Sequence, residues 1–243
     1  EEGIAEAELI VPLTFVMIIG TVVVHGLTSG WLAERLGLSS RSEQGVLITG
    51  ANKVSIAIGE ALKKNGMAVK IVDSKPGELQ KARMLELEVY YGNPLSEHAD
   101  RYMDLSGYTQ LLAMSRNSEA NTMVCSQFRH DFGPTNIFSI HTGGDTGERS
   151  ALAKGLKTNI LFGENISWSK LSSLLAQGAV IRATSFTDEY DMEAHLAQWG
   201  SDTVSLFALD DKGKLRIFSN KSQFEPKAGW TLINLVLQNG KNS

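Results

Sequence analysis

Asp73 and the six residues from Gly50 to Ser55 have types and spacing suited to binding a phosphorylated ligand. Asp73 follows Gly50 by 23 residues, and its carboxylate could accept hydrogen bonds from ribose hydroxyls. A glycine turn that opens a helix directs backbone amides at an anion, which the helix dipole stabilises. The consensus G-x-G-x-x-G falls on six consecutive residues: Gly50, Ala51, Asn52, Lys53, Val54 and Ser55.

Only the first glycine of that consensus is present. Asn52 tolerates left-handed backbone geometry, but it places a side chain where close approach of a pyrophosphate needs none. Ser55 is small enough to permit close packing of helix on strand. Lys53 could add positive charge beside a phosphate, or it could be a solvated lysine in the first helical turn. The sequence is therefore consistent both with a turn that binds a ligand and with a turn that preserves the fold without binding one.

The elements around these residues alternate between strand and helix. An apolar strand at residues 45–50 precedes a helix that ends at Gly66, and a second strand ends at Asp73. The pattern continues with helices at residues 77–87, 96–104 and 118–132 and strands at residues 88–91, 110–114, 136–141 and 159–162. We expect an α/β fold with a Rossmann-like parallel sheet. Ligands bind such sheets at the carboxyl ends of the strands, where the sequence places Gly50, Asp73, Ser74, Gly92, Asn93 and Ser115.

The start of the chain is strongly apolar. Residues 9–33 are 25 residues without Asp, Glu, Lys or Arg, and about 20 suffice to cross a bilayer as a helix. Arg35 and Arg41 follow this stretch and no basic residue precedes it, which places the chain after about residue 34 in the cytoplasm. Gly20, Gly26 and Gly30 would let a neighbouring helix approach closely. A buried helix of a soluble protein is the alternative. Since the chain begins with Glu1, we expect it to be part of a longer protein.

The last eighty residues predict a small α+β module. Helices are expected at residues 168–178 and 191–199, and strands at residues 179–187, 204–209, 215–219 and 229–237. Trp168, Trp199 and Trp230 are expected to be core or interface anchors. The predicted domains are thus residues 1–43 (membrane helix and linker), 44–164 (Rossmann-like domain) and 165–243 (small α+β domain).

Composition and missing motifs exclude several classes of protein. Lys and Arg number 23 and Asp and Glu number 27. Four of the acids precede the apolar stretch, so the rest of the chain is balanced, which argues against a nucleic-acid partner. The single cysteine, Cys125, excludes an intrachain disulfide and a cysteine-based zinc site. No tyrosine has a lysine four residues later, and G-x-S-x-G and the phosphate-binding G-x-x-x-x-G-K-[ST] are missing. We therefore predict no catalytic residue, no metal site and no enzyme activity.

The segments ITGANKVSIAIGEAL, IVD, YYGNP and LLAMSRNSEANTMVC resemble the KTN/RCK (TrkA-N-like) regulatory domain of bacterial potassium channels and transporters. With PLTFVMIIGTVVVHGLTSGWLAERLGL ahead of them, the whole resembles the C-terminal part of an NhaP-type monovalent cation:proton antiporter. This chain departs from the family at Asn93, where RCK domains usually carry an acid.

The resemblance implies a cytosolic domain that senses NAD(H) or an adenine nucleotide and regulates exchange of sodium or potassium for protons. It also implies an upstream transmembrane transport domain as partner, a homodimer, and a location in the inner (plasma) membrane as part of a multi-pass protein. A regulatory RCK subunit of a potassium channel or Trk-type transporter is the first alternative, disfavoured because Trk-type subunits are soluble. The second is a membrane-tethered Rossmann oxidoreductase, which the missing Tyr–Lys pair argues against.

Overall fold

The computed structural model of the 243-residue chain describes residues 2–35, 44–143, 158–200, 203–222 and 224–237. It divides into two compact units, Glu1–Ser42 and Glu43–Ser243.

The described part of the first unit, residues 2–35, is helix α1 (Glu2–Arg35). Within it, Ile10–Gly30 is 21 residues long and, by length and composition alone, apolar enough to cross a membrane. Three threonine hydroxyls donate to the carbonyl four residues earlier: Thr14 (2.7 Å), Thr21 (2.7 Å) and Thr28 (2.6 Å). These bonds satisfy the hydroxyls within the helix itself, which an apolar environment requires.

The second unit begins with a six-stranded parallel sheet. Its strands are β1 (Gly45–Thr49), β2 (Val69–Asp73), β3 (Glu88–Tyr91), β4 (Tyr108–Ala113), β5 (Ile137–Ser139) and β6 (Asn159–Ile160). The order across the sheet is β3-β2-β1-β4-β5-β6, with every pairing parallel. The connecting helices are α2 (Lys53–Lys64), α3 (Pro76–Met84), α4 (Glu97–Tyr102), α5 (Ser118–Gln127) and α6 (Arg129–Phe132). The predicted Rossmann-like fold is confirmed.

Burial explains why the strands read as short apolar runs. All five residues of β1 are buried, as expected for a strand covered on both faces. Val46 and Ile48 belong to the cluster on one face of the sheet, together with α2, whereas Leu47 belongs to the cluster on the other face, together with Val124 of α5. The sheet thus lies between two helical layers.

The predicted helix at residues 118–132 is interrupted. Phe128 is both the C-terminal cap of α5 and the N-terminal cap of α6. Phe128 and Phe132 are both buried, and their rings pack edge to face at 6.1 Å. Both rings belong to the buried cluster on the α5 side of the parallel sheet.

The rest of the second unit is a four-stranded antiparallel sheet with two helices. These elements are α7 (Trp168–Ala176), β7 (Val180–Ser185), α8 (Met192–Trp199), β8 (Val204–Leu209), β9 (Leu215–Ile217) and β10 (Thr231–Val236). The strand order is β7-β10-β8-β9. The hairpin between β8 and β9 turns at Gly213, whose φ is +73°, and the carboxylate of Asp210 accepts from the amides of Lys212 and Lys214.

The two sheets share one hydrophobic core. Ile58 and Leu62 of α2 belong to the same buried cluster as Phe207 of β8 and Ile233 of β10. Helix α2 contacts both α7 and β7. The expected boundary between residues 164 and 165 stays a prediction, and the structure places the elements on its two sides in contact.

A buried histidine of α8 is hydrogen-bonded to the antiparallel sheet. The His195 ring is bonded through Nδ1 to the Tyr190 hydroxyl at 3.1 Å and through Nε2 to the amide of Asn234 on β10. His195 is 1% exposed. Burial lowers the pKa of His195, because the charged imidazolium is desolvated there.

Candidate functional site

A crevice of about 150 Å³ opens at the carboxyl ends of β1, β2, β3 and β4. It is lined by Thr49, Gly50, Val72, Asp73, Ser74, Asn93, Pro94, Leu95, Ser115, Ala120, Asn121 and Val124. Five of the ten residues predicted from the sequence are in this lining: Gly50, Asp73, Ser74, Asn93 and Ser115. The other five lie at the glycine turn or beside the crevice.

Gly50 permits the close approach of β1 and β4 at this edge. Its φ is +94°, a conformation that other residues adopt only with strain. A Cβ atom at this position would lie 2.6 Å from the backbone nitrogen of Ser115. The sequence at this turn therefore needs glycine for two reasons, backbone conformation and space.

Asp73 ends β2 and points its carboxylate at the glycine turn. One carboxylate oxygen accepts from the amide of Ala51 at 2.6 Å, and the other accepts from the amide of Lys75 at 2.9 Å. A carboxylate has about four acceptor positions, so each oxygen of Asp73 keeps one for a ligand. This is the arrangement needed to accept hydrogen bonds from ribose hydroxyls.

Asn52 occupies the N-cap of α2, and its side chain turns into the protein. Its φ is −162°, so the left-handed geometry considered from the sequence is not used. The side-chain oxygen accepts from the amides of Val54 (3.0 Å) and Ser55 (3.1 Å) and from the indole N–H of Trp168 (3.0 Å). The side-chain nitrogen donates to the carbonyls of Gly50 (3.1 Å) and Met114 (2.8 Å). With five hydrogen bonds and 2% exposure, Asn52 is a fixed part of the turn.

Ser55 completes a reciprocal cap. Its hydroxyl accepts from the amide of Asn52 at 2.9 Å and donates to the carbonyl of Gly50 at 2.7 Å. The amides of Ala51, Asn52, Val54 and Ser55 are therefore all bound by groups of the protein. They are four of the five amides in residues 51–55, the segment that the sequence pattern directed at a phosphate.

The remaining predicted residues have mixed positions. The Val54 side chain is buried in the hydrophobic core, and Lys53 is exposed at the start of α2. Gly92 lies just outside the lining and donates its amide to the carbonyl of Asp73 at 3.0 Å. Asn93 closes a turn by accepting from the amide of Leu95 at 3.0 Å.

Two residues at the site were not identified as such from the sequence. Asn121 of α5 is 1% exposed and clamps Ser115, accepting from its amide and donating to its carbonyl, both at 2.9 Å. Trp168, expected only as a core or interface anchor, reaches Asn52 from α7, and the guanidinium of Arg116 lies 5.0 Å from the Trp168 ring centroid. Trp168 and Asn52 are 116 residues apart, so no local motif indicates their contact.

The groups that line the crevice can bind a ligand through hydrogen bonds and apolar contacts. Among the residues that the structure describes, no group of three or more His, Cys, Asp or Glu side chains could hold a metal ion. Burial raises the pKa of the Cys125 thiol to about 12, so this thiol is protonated at neutral pH. The crevice offers one carboxylate, hydroxyl and amide groups, and apolar walls, which suit a ligand with a flat ring and hydroxyl groups.

One protein-family model matches part of the chain. The model of the TrkA-N domain matches residues 46–148. No curated protein matches the sequence of the chain.

Several solved structures are similar at low identity. The GsuK channel is 12% identical with a TM-score of 0.41, over 81% of this chain and 37% of that one, so this chain spans little more than a third of that protein. The GsuK channel bound to NAD is 12% identical with a TM-score of 0.41, over 80% and 36%. The TrkA-N domain of the inner membrane protein ybaL from Escherichia coli is 13% identical with a TM-score of 0.42, over 56% of this chain and 95% of that one. Residues 46–148, which match the TrkA-N model, contain the first five strands of the parallel sheet, except Gly45 at the start of β1, and the residues that line the crevice.

Proposed function

We propose that this chain is the ligand-sensing regulatory region of a membrane ion transporter, with a membrane helix attached to it. The observation that carries the proposal is the covalent order: a helix of membrane length precedes a TrkA-N domain whose crevice presents the Asp73 carboxylate. The transporter that best fits is an NhaP-type antiporter exchanging sodium or potassium for protons. In this proposal the chain is not an enzyme.

The ligand proposed for the crevice is NAD(H) or an adenine nucleotide. Asp73 accepts from its ribose hydroxyls, and the apolar walls of the crevice take the base. The ligand changes transport only to the extent that it binds two arrangements of the protein with different affinity. Helix α1 connects that difference to the membrane.

The proposed partners follow from the same arrangement. The helix packs in the membrane with an upstream transport domain, and the glycines at positions 20, 26 and 30 permit close helix contact. Arg35 and Arg41 place the domain after residue 34 in the cytoplasm, with the parent protein in the plasma membrane. The regulatory domains pair as a homodimer.

Ligand binding is tested by calorimetric titration of the full chain in detergent with NAD, NADH, AMP and ATP. We expect at least one of these to bind, and Asp73→Asn to weaken it by about tenfold, since a hydrogen bond to a charged group contributes roughly 1.5–3 kcal/mol. The matched control is Asp104→Asn: the Asp104 carboxylate accepts from the amide of Ser106 at 2.9 Å and lies before β4, at the other end of the strands. No binding at millimolar concentration, or equal loss in both variants, would contradict the proposal.

A regulatory domain of a potassium channel or Trk-type transporter is the second candidate, because the TrkA-N match fits it equally well. Ion flux decides between the two. The parent protein in proteoliposomes should move protons against sodium or potassium, with a rate that the ligand changes. Potassium conductance without proton movement would favour the second candidate.

A further inference from the structure

We infer that the crevice recognises the nucleoside part of its ligand and that the glycine turn does not bind the phosphates. This inference rests on the proposed function, since it concerns the ligand of the same crevice. The affinity of the chain for a nucleotide should therefore not depend on how many phosphates the nucleotide carries.

The first support is the state of the amides at the turn. An anion binds at the start of a helix because amides there lack partners. In this chain the side-chain oxygen of Asn52 already accepts from the amides of Val54 and Ser55, and the Ser55 hydroxyl accepts from that of Asn52. A phosphate would have to replace these bonds, so it would gain little.

The second support is the anchoring of Asn52. Its amide group uses both hydrogens and accepts from three donors, so moving it aside breaks five hydrogen bonds. Two of these reach residues distant in the sequence, the Met114 carbonyl and the Trp168 indole. Asn52 is 2% exposed, and its partners at Val54, Ser55 and Met114 would be left buried without a hydrogen bond.

The third support is the charge and size of the crevice. Asp73 is the only charged residue among those that line it, and no lysine or arginine is in that lining. A phosphate inside the crevice would therefore meet a carboxylate, whereas a ribose would find an acceptor. The volume of about 150 Å³ is below the range of roughly 300–1,000 Å³ typical of whole ligand pockets. A crevice of this size fits only part of a ligand. Its carboxylate and its apolar walls favour the sugar and the base over the phosphates.

The first experiment compares adenosine, AMP, ADP and NAD as probes on the unmodified chain in detergent, by calorimetric titration at one ionic strength. We expect dissociation constants within about threefold of one another, because tenfold corresponds to about 1.4 kcal/mol of phosphate binding that the turn does not supply. ADP or NAD binding tenfold or more tightly than adenosine would overturn the inference and leave the proposed function standing. Binding of none of the four would overturn the proposed function, and the inference with it.

The second experiment uses Asn52→Ala to release the amides of the glycine turn. The backbone at residue 52 is extended, a conformation that alanine can adopt. We expect the affinity for ADP and NAD, measured relative to that for adenosine, to rise about tenfold because of the released amides. Asn117→Ala is the control, since Asn117 caps α5 in the same way through the amide of Ala120 but is exposed and outside the crevice lining. Thermal melting establishes that each variant is folded. A folded Asn52→Ala chain with no gain for ADP or NAD would overturn the role of Asn52, and if that variant does not fold, the first experiment decides alone.

Discussion

Position 50 accepts no residue but glycine without strain, because its φ is positive and the backbone of Ser115 lies close to it. The sequence pattern identified Gly50 correctly as the first glycine of the turn, because a glycine after an apolar strand is a local signal. The same reasoning placed Asp73 at the crevice, since spacing along two adjacent parallel strands is also local. The role of Asn52 could not be predicted, because Met114 and Trp168 are 62 and 116 residues away.

Replacing Gly50 with alanine should destabilise the chain strongly. The positive φ costs about 1–2 kcal/mol and the contact with Ser115 adds roughly as much, so we expect a loss of about 3 kcal/mol. Gly66→Ala is the matched control: its φ is +83°, and a Cβ there would meet nothing within 4 Å. It should lose only about 1 kcal/mol, in line with the backbone term. Chemical unfolding measures both, and equal losses would show that space at Ser115 is unimportant.

Asn52→Ala should cost more stability than an ordinary cap. Loss of an N-cap costs about 1 kcal/mol, and the Trp168 and Met114 partners left buried should bring the total to about 2–3 kcal/mol. The comparison is Asn117→Ala, where the cap is exposed and the loss should stay near 1 kcal/mol. Similar unfolding free energies for the two variants would mean that the long-range bonds of Asn52 contribute nothing.

At the scale of elements, short apolar strands are predicted well and interruptions of helices are not. The structure has β3 at Glu88–Tyr91, as the sequence predicts, because flanking polar residues and Gly92 mark both ends. The break at Phe128 was missed because no glycine or proline signals it. Phe128 and Phe132 are both buried in the same cluster, as two residues four apart would also be in an uninterrupted helix, so their apolar pattern does not signal the break.

The antiparallel sheet should weaken in acid because of His195. Burial lowers its pKa, so the folded state favours the neutral ring, and the stability from this residue is complete above about pH 6.5 and falls as the pH drops below that. The difference in unfolding free energy between the native chain and His195→Gln should therefore shrink from pH 7.5 to pH 5.5. If the difference in unfolding free energy between the native chain and His195→Gln did not change with pH, the prediction would be contradicted.

For the whole molecule, the decisive question is whether α1 lies in a membrane. Met17 in α1 and Met84 in α3 are equally exposed, at 74% and 73%. Met17→Lys should reduce the membrane-bound fraction, since a lysine near the centre of a spanning helix costs about 2.5–3.5 kcal/mol. Met84→Lys should leave that fraction unchanged. Fractionation of cells after a high-salt wash measures both, and full retention of the Met17→Lys chain would argue against a spanning helix.

The cluster that Ile58 and Leu62 share with Phe207 and Ile233 limits how this protein can be divided or recombined. Cutting the gene after residue 164 would strip one side of α2 of its cover and leave an aggregation-prone fragment. Grafting the parallel-sheet half onto another protein would fail for the same reason, unless the graft carried residues 165–237 with it. The two sheets therefore have to stay together whenever the gene is divided or recombined.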